Sequence, residues 1–165
     1  MADASSTPVF TPTLYYRDPF AAIRWLQQAF GFELEALVTD AQGHLGPSQL
    51  SYRGAPIAVH GEFSSPDLLG PAQMKSPVSL AHGNSQFVRV AVEGDVDSHC
   101  ARARAAGARI TQEPLDEFYG ERIYRALDPE DHVWVFTQPT ADLSFAEMEA
   151  ATGLKFSTSL EEAGV

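Results

Sequence analysis

An internal duplication constrains the fold of this chain more than any other feature of its sequence. In each copy an aspartate precedes an apolar-periodic stretch and a glycine ends it: Asp18 and Gly31 in the first copy, Asp95 and Gly107 in the second. Asp95 follows Asp18 by 77 residues, and Gly107 follows Gly31 by 76. A unit of this size, repeated once, predicts two similar half-sheets around a shared cleft, which is where we expect function to lie.

Hydrophobic periodicity predicts the order β-α-β-β-β in each copy. Asp18-Pro19 combines an N-cap acceptor with proline at the first helical position, and Gly31 suits a helix end in the left-handed conformation. The predicted strands of the first copy are 9–17, 32–40, 48–53 and 56–61. Those of the second copy are 85–93, 108–112, 121–127 and 132–138. The capping-box pattern at 144–147 predicts a short helix over 144–151.

These elements predict an α+β fold with two β-α-β-β-β modules. The modules span 9–61 and 85–151, the second including the C-terminal helix, and residues 152–165 form a tail. Residues 62–84 connect the modules and are rich in proline, glycine and serine. Irregular loops longer than about 12–15 residues are often lids or linkers, and we favour a flap over the cleft.

Composition excludes several classes of function. With 22 acidic and 11 basic residues the net charge is −11, which argues against nucleic-acid binding. No apolar run approaches the roughly 18–20 residues of a membrane helix. Cys100 is the single cysteine, so a disulfide framework and a multi-thiolate zinc site are excluded. Residues 1–6 lack the pattern of a signal peptide, and we expect a cytoplasmic location.

One motif of the second copy carries a family resemblance. YGERIY (119–124) followed by DPEDHVWVF (128–136) resembles the vicinal oxygen chelate superfamily, which includes glyoxalase I, bleomycin-resistance proteins, fosfomycin-resistance enzymes and extradiol dioxygenases. The resemblance covers roughly residues 9–151 and implies a curled mixed sheet and a homodimer. Asp131 stands where members usually carry glycine, and aspartate tolerates left-handed backbone angles.

The resemblance also implies where a metal would be bound in metal-dependent members: at Thr11, His60, Phe87 and Val135. Phenylalanine and valine offer no lone pair, whereas a divalent ion needs about three nitrogen, oxygen or sulfur ligands. Of the four, only His60 is a strong ligand, although a shift of register by one or two residues would bring in Gln86 or Glu62. We therefore expect no metal and no cofactor.

Strand alternation predicts which side chains share a face with those positions. Trp134 and Phe136 point the other way and are expected in the core. Arg122 either clamps an anionic group or pairs with Glu121 or Asp128. Phe118 and Tyr119 are the best candidates for stacking on a ligand. The predicted ligand-binding residues are Thr13, Tyr15, Gln49, Ser51, His60, Phe87, Arg89, Phe118, Tyr119, Arg122, Tyr124 and Val135.

Three functions remain open at this point, of which the third is a regulatory or interaction module that only the tail after Gly153 supports. The leading hypothesis is a metal-independent binding protein of the bleomycin-resistance type, which sequesters an aromatic compound, cationic or neutral, in a cleft. The alternative is a glyoxalase-like or dioxygenase-like lyase or isomerase, with a metal at shifted ligand positions or with His60 as a base.

Overall fold

The computed structural model describes residues 8–164, so the expectation for the N-terminal residues 1–6 lies outside the described part of the chain. The first copy contains β1 (Thr13–Tyr16), α1 (Pro19–Phe30), β2 (Glu33–Ala36), β3 (Ser48–Tyr52) and β4 (Ala55–Gly61). The connection contains α2 (Pro66–Leu69) and a 3-10 helix (Pro77–Leu80). The second copy contains β5 (Phe87–Ala91), α3 (Val96–Ala105), β6 (Arg109–Glu117), β7 (Glu121–Leu127) and β8 (Val133–Pro139), followed by α4 (Phe145–Thr152) and α5 (Leu160–Ala163).

The strands form two four-stranded mixed sheets of the same topology. Their orders are β1-β4-β3-β2 and β5-β8-β7-β6. In each sheet the first and last strands of the module pair in parallel, and the other pairs are antiparallel. The predicted α+β fold with two β-α-β-β-β modules and a small C-terminal helix is confirmed.

The helix ends follow the chemistry of their capping residues. The Asp18 carboxylate accepts a hydrogen bond from the backbone N–H of Ala21 at 3.0 Å, and Asp95 does the same for Ser98 at 2.8 Å. Gly31 ends α1 with φ of 79°, a left-handed conformation that favours glycine. Local side-chain chemistry therefore sets where both module helices begin.

Several predicted boundaries differ from the structure. Strand β1 is shorter than 9–17, because Val9 and Phe10 are exposed and unpaired. Strand β2 ends at Ala36, beside an irregularity in its pairing with β3. Strand β6 continues past residue 112 to Glu117, because it stays paired with β7 through two shifts of register. The connection and the tail, predicted as irregular, each contain short helical turns.

The helix-bearing faces of both sheets share one hydrophobic core. The ring of Phe30, at the end of α1, lies 5.1 Å from that of Trp134 and 4.6 Å from that of Phe136. The prediction that Trp134 and Phe136 belong to the core is confirmed. Cys100 is also buried there, and burial raises the pKa of its thiol, which fits an inert side chain.

A second, smaller group of buried apolar side chains lies outside this core: Ile123, Val135 and Met148. Ile123 and Val135 belong to the face of the second sheet that is turned away from the main core, and Met148 belongs to α4. The chain after β8 also runs close to the β6–β7 turn, since a Cβ on Gly120 would lie 2.3 Å from the carbonyl oxygen of Ala141. We infer that α4 covers this face of the second sheet.

Candidate functional site

A cavity of about 450 Å³ lies where strand β1 approaches strand β5. Thr13 and Tyr15 line it from the first module, and Phe87 lines it from the second. The structure thus brings three of the predicted ligand-binding residues to one cavity. An aromatic and apolar wall with a few polar groups is the usual composition of a small-molecule site.

The connecting segment forms a further wall of this cavity. Met74, Lys75 and Leu80 all line it. Lys75 is therefore the cationic side chain that the segment contributes to the cavity.

Polar contacts tie the end of the connecting segment to the β7–β8 turn. The carboxylate of Asp131 pairs with both His82 and Arg109, and the Asn84 side chain donates to the Asp131 carbonyl at 3.0 Å. Burial raises the pKa of Asp131, but the hydrogen bond from His82 and the charge of Arg109 outweigh it, so that the pKa is lowered overall. Asp131 has φ of 70° and His82 has φ of 67°, left-handed conformations that cost free energy away from glycine.

His60 lies beside this cavity on the first sheet. It is paired in register with Tyr15, and the two rings lie 5.5 Å apart between centroids. Among residues 8–164 no side chain hydrogen-bonds to the His60 ring, so it lacks the orienting partner that a general base usually has.

Gln49 and Ser51 lie on β3, farther from the cavity. Gln49 is exposed, and Ser51 is buried with its hydroxyl donating to Glu35 at 2.5 Å. Neither is among the side chains that line the cavity between β1 and β5.

Arg89, Phe118 and Tyr119 form a cluster on the second module. The guanidinium of Arg89 lies 5.8 Å from the centre of the Tyr119 ring and pairs with Glu121. The Phe118 and Tyr119 rings meet edge to face at 5.1 Å. Phe118 also packs near Phe156 of the tail, with 6.3 Å between ring centroids. These side chains lie together, but they do not line the cavity that Phe87 lines.

The prediction that Arg122 and Tyr124 share the ligand-facing side is wrong. Both point toward α3, because alternation along β7 turns the other set of side chains away from the helix. Tyr124 is fully buried and its hydroxyl lies 2.7 Å from Nδ1 of His99. Arg122 is held by the carboxylates of Asp97 at 2.6 Å and Asp116 at 3.1 Å, and the hydrogen bond to Asp97 raises its pKa. Arg122 therefore pairs within the chain, but with neither Glu121 nor Asp128.

The prediction for Val135 is also wrong in this structure. Val135 lies on the predicted face, but it is only 4% exposed, in the small apolar group that includes Met148 of α4. A ligand cannot reach it while α4 lies there.

The positions implied for a metal do not fit one. Phe87 and Val135 offer no donor atom, and Val135 is buried. Within residues 8–164 no group of three or more His, Cys, Asp or Glu side chains is placed to hold an ion. His60 alone does not provide a binding set.

Sequence reasoning missed a buried polar network around Asp128. Its carboxylate accepts hydrogen bonds from the Tyr16 hydroxyl at 2.7 Å, from Trp134 Nε1 at 3.1 Å and from the backbone N–H groups of Glu130 and His132. His132 is also buried and lines the cavity. The signal was present in the DPEDHVW segment, but nothing local links it to Tyr16, which is 112 residues away.

A family model identifies the chain. The model described as the Glyoxalase/Bleomycin resistance protein/Dioxygenase superfamily matches residues 9–136. The chain therefore belongs to this superfamily, as the sequence motif predicted.

Particular relatives extend the comparison. An uncharacterized protein of Mycobacterium bovis is 28% identical over 144 residues, which are 87% of this chain and 91% of that protein. The crystal structure of TioX from Micromonospora sp. ML1 is 32% identical, with a TM-score of 0.62 over 81% of this chain and 99% of that one. TnmS3, described as an antibiotic binding protein from Streptomyces sp. CB03234, is 22% identical, with a TM-score of 0.59 over 84% of this chain and 98% of that one.

None of the helices in the described part of the chain has both the length and the apolar character needed to cross a bilayer.

Proposed function

We propose that this protein binds an aromatic small molecule, without a metal, in the cavity between β1 and β5. The observation that carries the proposal is the cavity of about 450 Å³ with Tyr15 and Phe87 in its walls and Thr13 as a polar anchor. A volume in this range suits a drug-sized ligand, and aromatic walls bind flat rings through burial and stacking.

Two further observations support binding rather than metal-dependent chemistry. The positions that the family uses for metal ligands carry Phe87 and Val135, and His60 has no orienting partner among residues 8–164. The similarity to TnmS3, an antibiotic binding protein, favours a protein that sequesters a compound. The net charge of −11 favours neutral or cationic ligands over anionic ones.

The connecting segment 62–84 acts in this proposal as a lid. It supplies a wall of the cavity and is held on the β7–β8 turn by the His82–Asp131 pair. The protein acts as a homodimer, in which a second copy covers the exposed Phe87, whose exposed fraction is 58% in one chain. Sedimentation analysis that finds only monomer would contradict the dimer.

Isothermal titration calorimetry tests the binding function. The probes are a panel of neutral, cationic and anionic naphthalene derivatives, each titrated with and without EDTA. We expect saturable binding that EDTA does not change, and a loss of about tenfold or more in affinity in Phe87→Ala or Tyr15→Ala, since each removes an aromatic wall.

Phe10→Ala is the matched control, because Phe10 is equally aromatic but 86% exposed and outside this cavity. Its affinity should equal that of the wild type. Binding that disappears with EDTA, or turnover of a probe with no saturable binding, would reject the proposal in favour of an enzyme.

A further inference from the structure

A buried histidine places one unused polar atom at the same cavity. His132 is 7% exposed, lines the cavity and lies against the ring of Tyr16, with 4.3 Å between ring centroids. This packing fixes the plane of the imidazole, so its two nitrogens have different surroundings.

Nδ1 of His132 faces the buried carboxylate of Asp128. The two atoms Nδ1 and Oδ2 lie 3.3 Å apart, but Nδ1 is buried without a well-aligned hydrogen bond, so the contact is mainly electrostatic. The carboxylate already accepts hydrogen bonds from four donors and acts only as an acceptor. A lone pair on Nδ1 would be repelled by it, and the proton of the neutral ring therefore resides on Nδ1.

Nε2 of the neutral ring then carries a lone pair. This atom has no hydrogen-bond partner among residues 8–164 and is not buried, unlike Nδ1. The cavity thus contains a fixed hydrogen-bond acceptor that the protein does not use.

We propose that this acceptor selects ligands of the phenol class, whose hydroxyl donates a hydrogen bond to His132 Nε2 while the ring stacks between the aromatic walls. The inference rests on the proposed binding function and names its ligand class. A methyl ether of the same ring lacks the donor and leaves Nε2 without a partner, which costs affinity when both are shielded from water.

A matched pair of probes tests this inference: 2-naphthol and 2-methoxynaphthalene, titrated into the full chain. For the wild type we expect 2-naphthol to bind at least about tenfold more tightly. In His132→Leu, which has no side-chain acceptor, the ratio should fall toward one. In the control variant His44→Leu it should stay unchanged, because His44 is exposed in a turn of the first module.

A second measurement needs no variant. Nitrogen-15 NMR of the free wild-type protein should show His132 as the neutral tautomer with the proton on Nδ1. A proton on Nε2, or equal affinity for the two probes in the wild type, would overturn the phenol inference and leave the binding function standing. If neither these two probes nor any compound of the naphthalene panel binds saturably, the binding function and the phenol inference are both contradicted.

Discussion

The last hairpin of each module joins corresponding strands, but the two turns have different surroundings. In the first module Arg53 and Gly54 connect β3 to β4, and a Cβ on Gly54 would meet nothing within 4 Å. In the second module, residues 128–132 connect β7 to β8, and Asp128 is only 3% exposed. The carboxylate of Asp128 binds Tyr16 of the first module, and that of Glu130 accepts from the backbone N–H groups of Arg17 and Asp18.

This difference shows that corresponding turns of two duplicated modules can have different structural roles. One turn is an ordinary exposed hairpin, whereas the other joins the modules through buried hydrogen bonds. Its position also places His132 at the cavity, so the turn that stabilises the fold contributes directly to the candidate site.

The largest expected effect is that of Asp128→Ala. The substitution leaves the Tyr16 hydroxyl, Trp134 Nε1 and two backbone N–H groups buried without an acceptor. We expect the free energy of unfolding to fall by about 3–5 kcal/mol, as measured by urea denaturation. Arg53→Ala in the exposed turn should change it by no more than about 0.5 kcal/mol. Equal effects at the two turns would remove the distinction between them.

The module helices also differ, because α3 contains a buried histidine and α1 does not. This difference should appear in the pH dependence of the free energy of unfolding. His99 of α3 is buried between Tyr124 and the carbonyl of Phe30, whereas Ala22 takes the corresponding place 77 residues earlier in α1. Burial lowers the pKa of His99 from its ordinary value of 6.5, an effect that the bond to Phe30 only partly offsets and that the charge of Arg102 increases. The folded state therefore keeps His99 neutral where the unfolded chain takes up a proton.

The stability linked to His99 is complete above about pH 6.5 and is lost as the pH falls below that value. We expect the wild type to lose up to about 1.4 kcal/mol per pH unit through this one proton, measured by urea denaturation from pH 7.5 to 5. His99→Gln should be less stable at neutral pH but lack this component of the slope. Parallel curves for the two proteins would contradict the assignment.

The smallest expected effects compare one substitution at both turns. Arg53 and Asp131 both have left-handed backbones, with φ of 52° and 70°. Asparagine tolerates this conformation well, so Arg53→Asn should stabilise the fold by about 0.5–1 kcal/mol. Asp131→Asn should instead destabilise it by up to about 1 kcal/mol, because the pairs with His82 and Arg109 are lost and both partners are partly exposed. Thermal unfolding measures both changes in stability. If both substitutions stabilise the protein, or both destabilise it, the proposed difference between the turns is contradicted.

Local signals predicted most of the fold. Asp18, Gly31 and Asp95 mark helix ends through contacts within a few residues, and such contacts are readable from the chain alone. Strand β7 was predicted at its observed bounds. The prediction was wrong about which face of the sheet the β7 side chains occupy. The face on which Arg122 and Tyr124 lie depends on the pairing of β7 with β8 and on the position of α3.

The candidate site was less predictable, since it is built from segments far apart in the chain. Alternation predicted Thr13 and Tyr15, and the family resemblance implied Phe87, whereas Lys75 reaches the cavity through the path of an irregular segment that has no periodic pattern. His132 was not recognised, because its role depends on the contact between Asp128 and Tyr16. Val135 was misjudged, because alternation predicts which face a side chain lies on but not whether that face is buried.

The helix α4 that covers the second sheet has a practical consequence. A protein that ends at Pro139, the last residue of β8, would lose Met148 and expose Ile123 and Val135 to solvent. An exposed hydrophobic patch promotes aggregation, so the shortened protein should precipitate under conditions in which the full-length protein stays in solution.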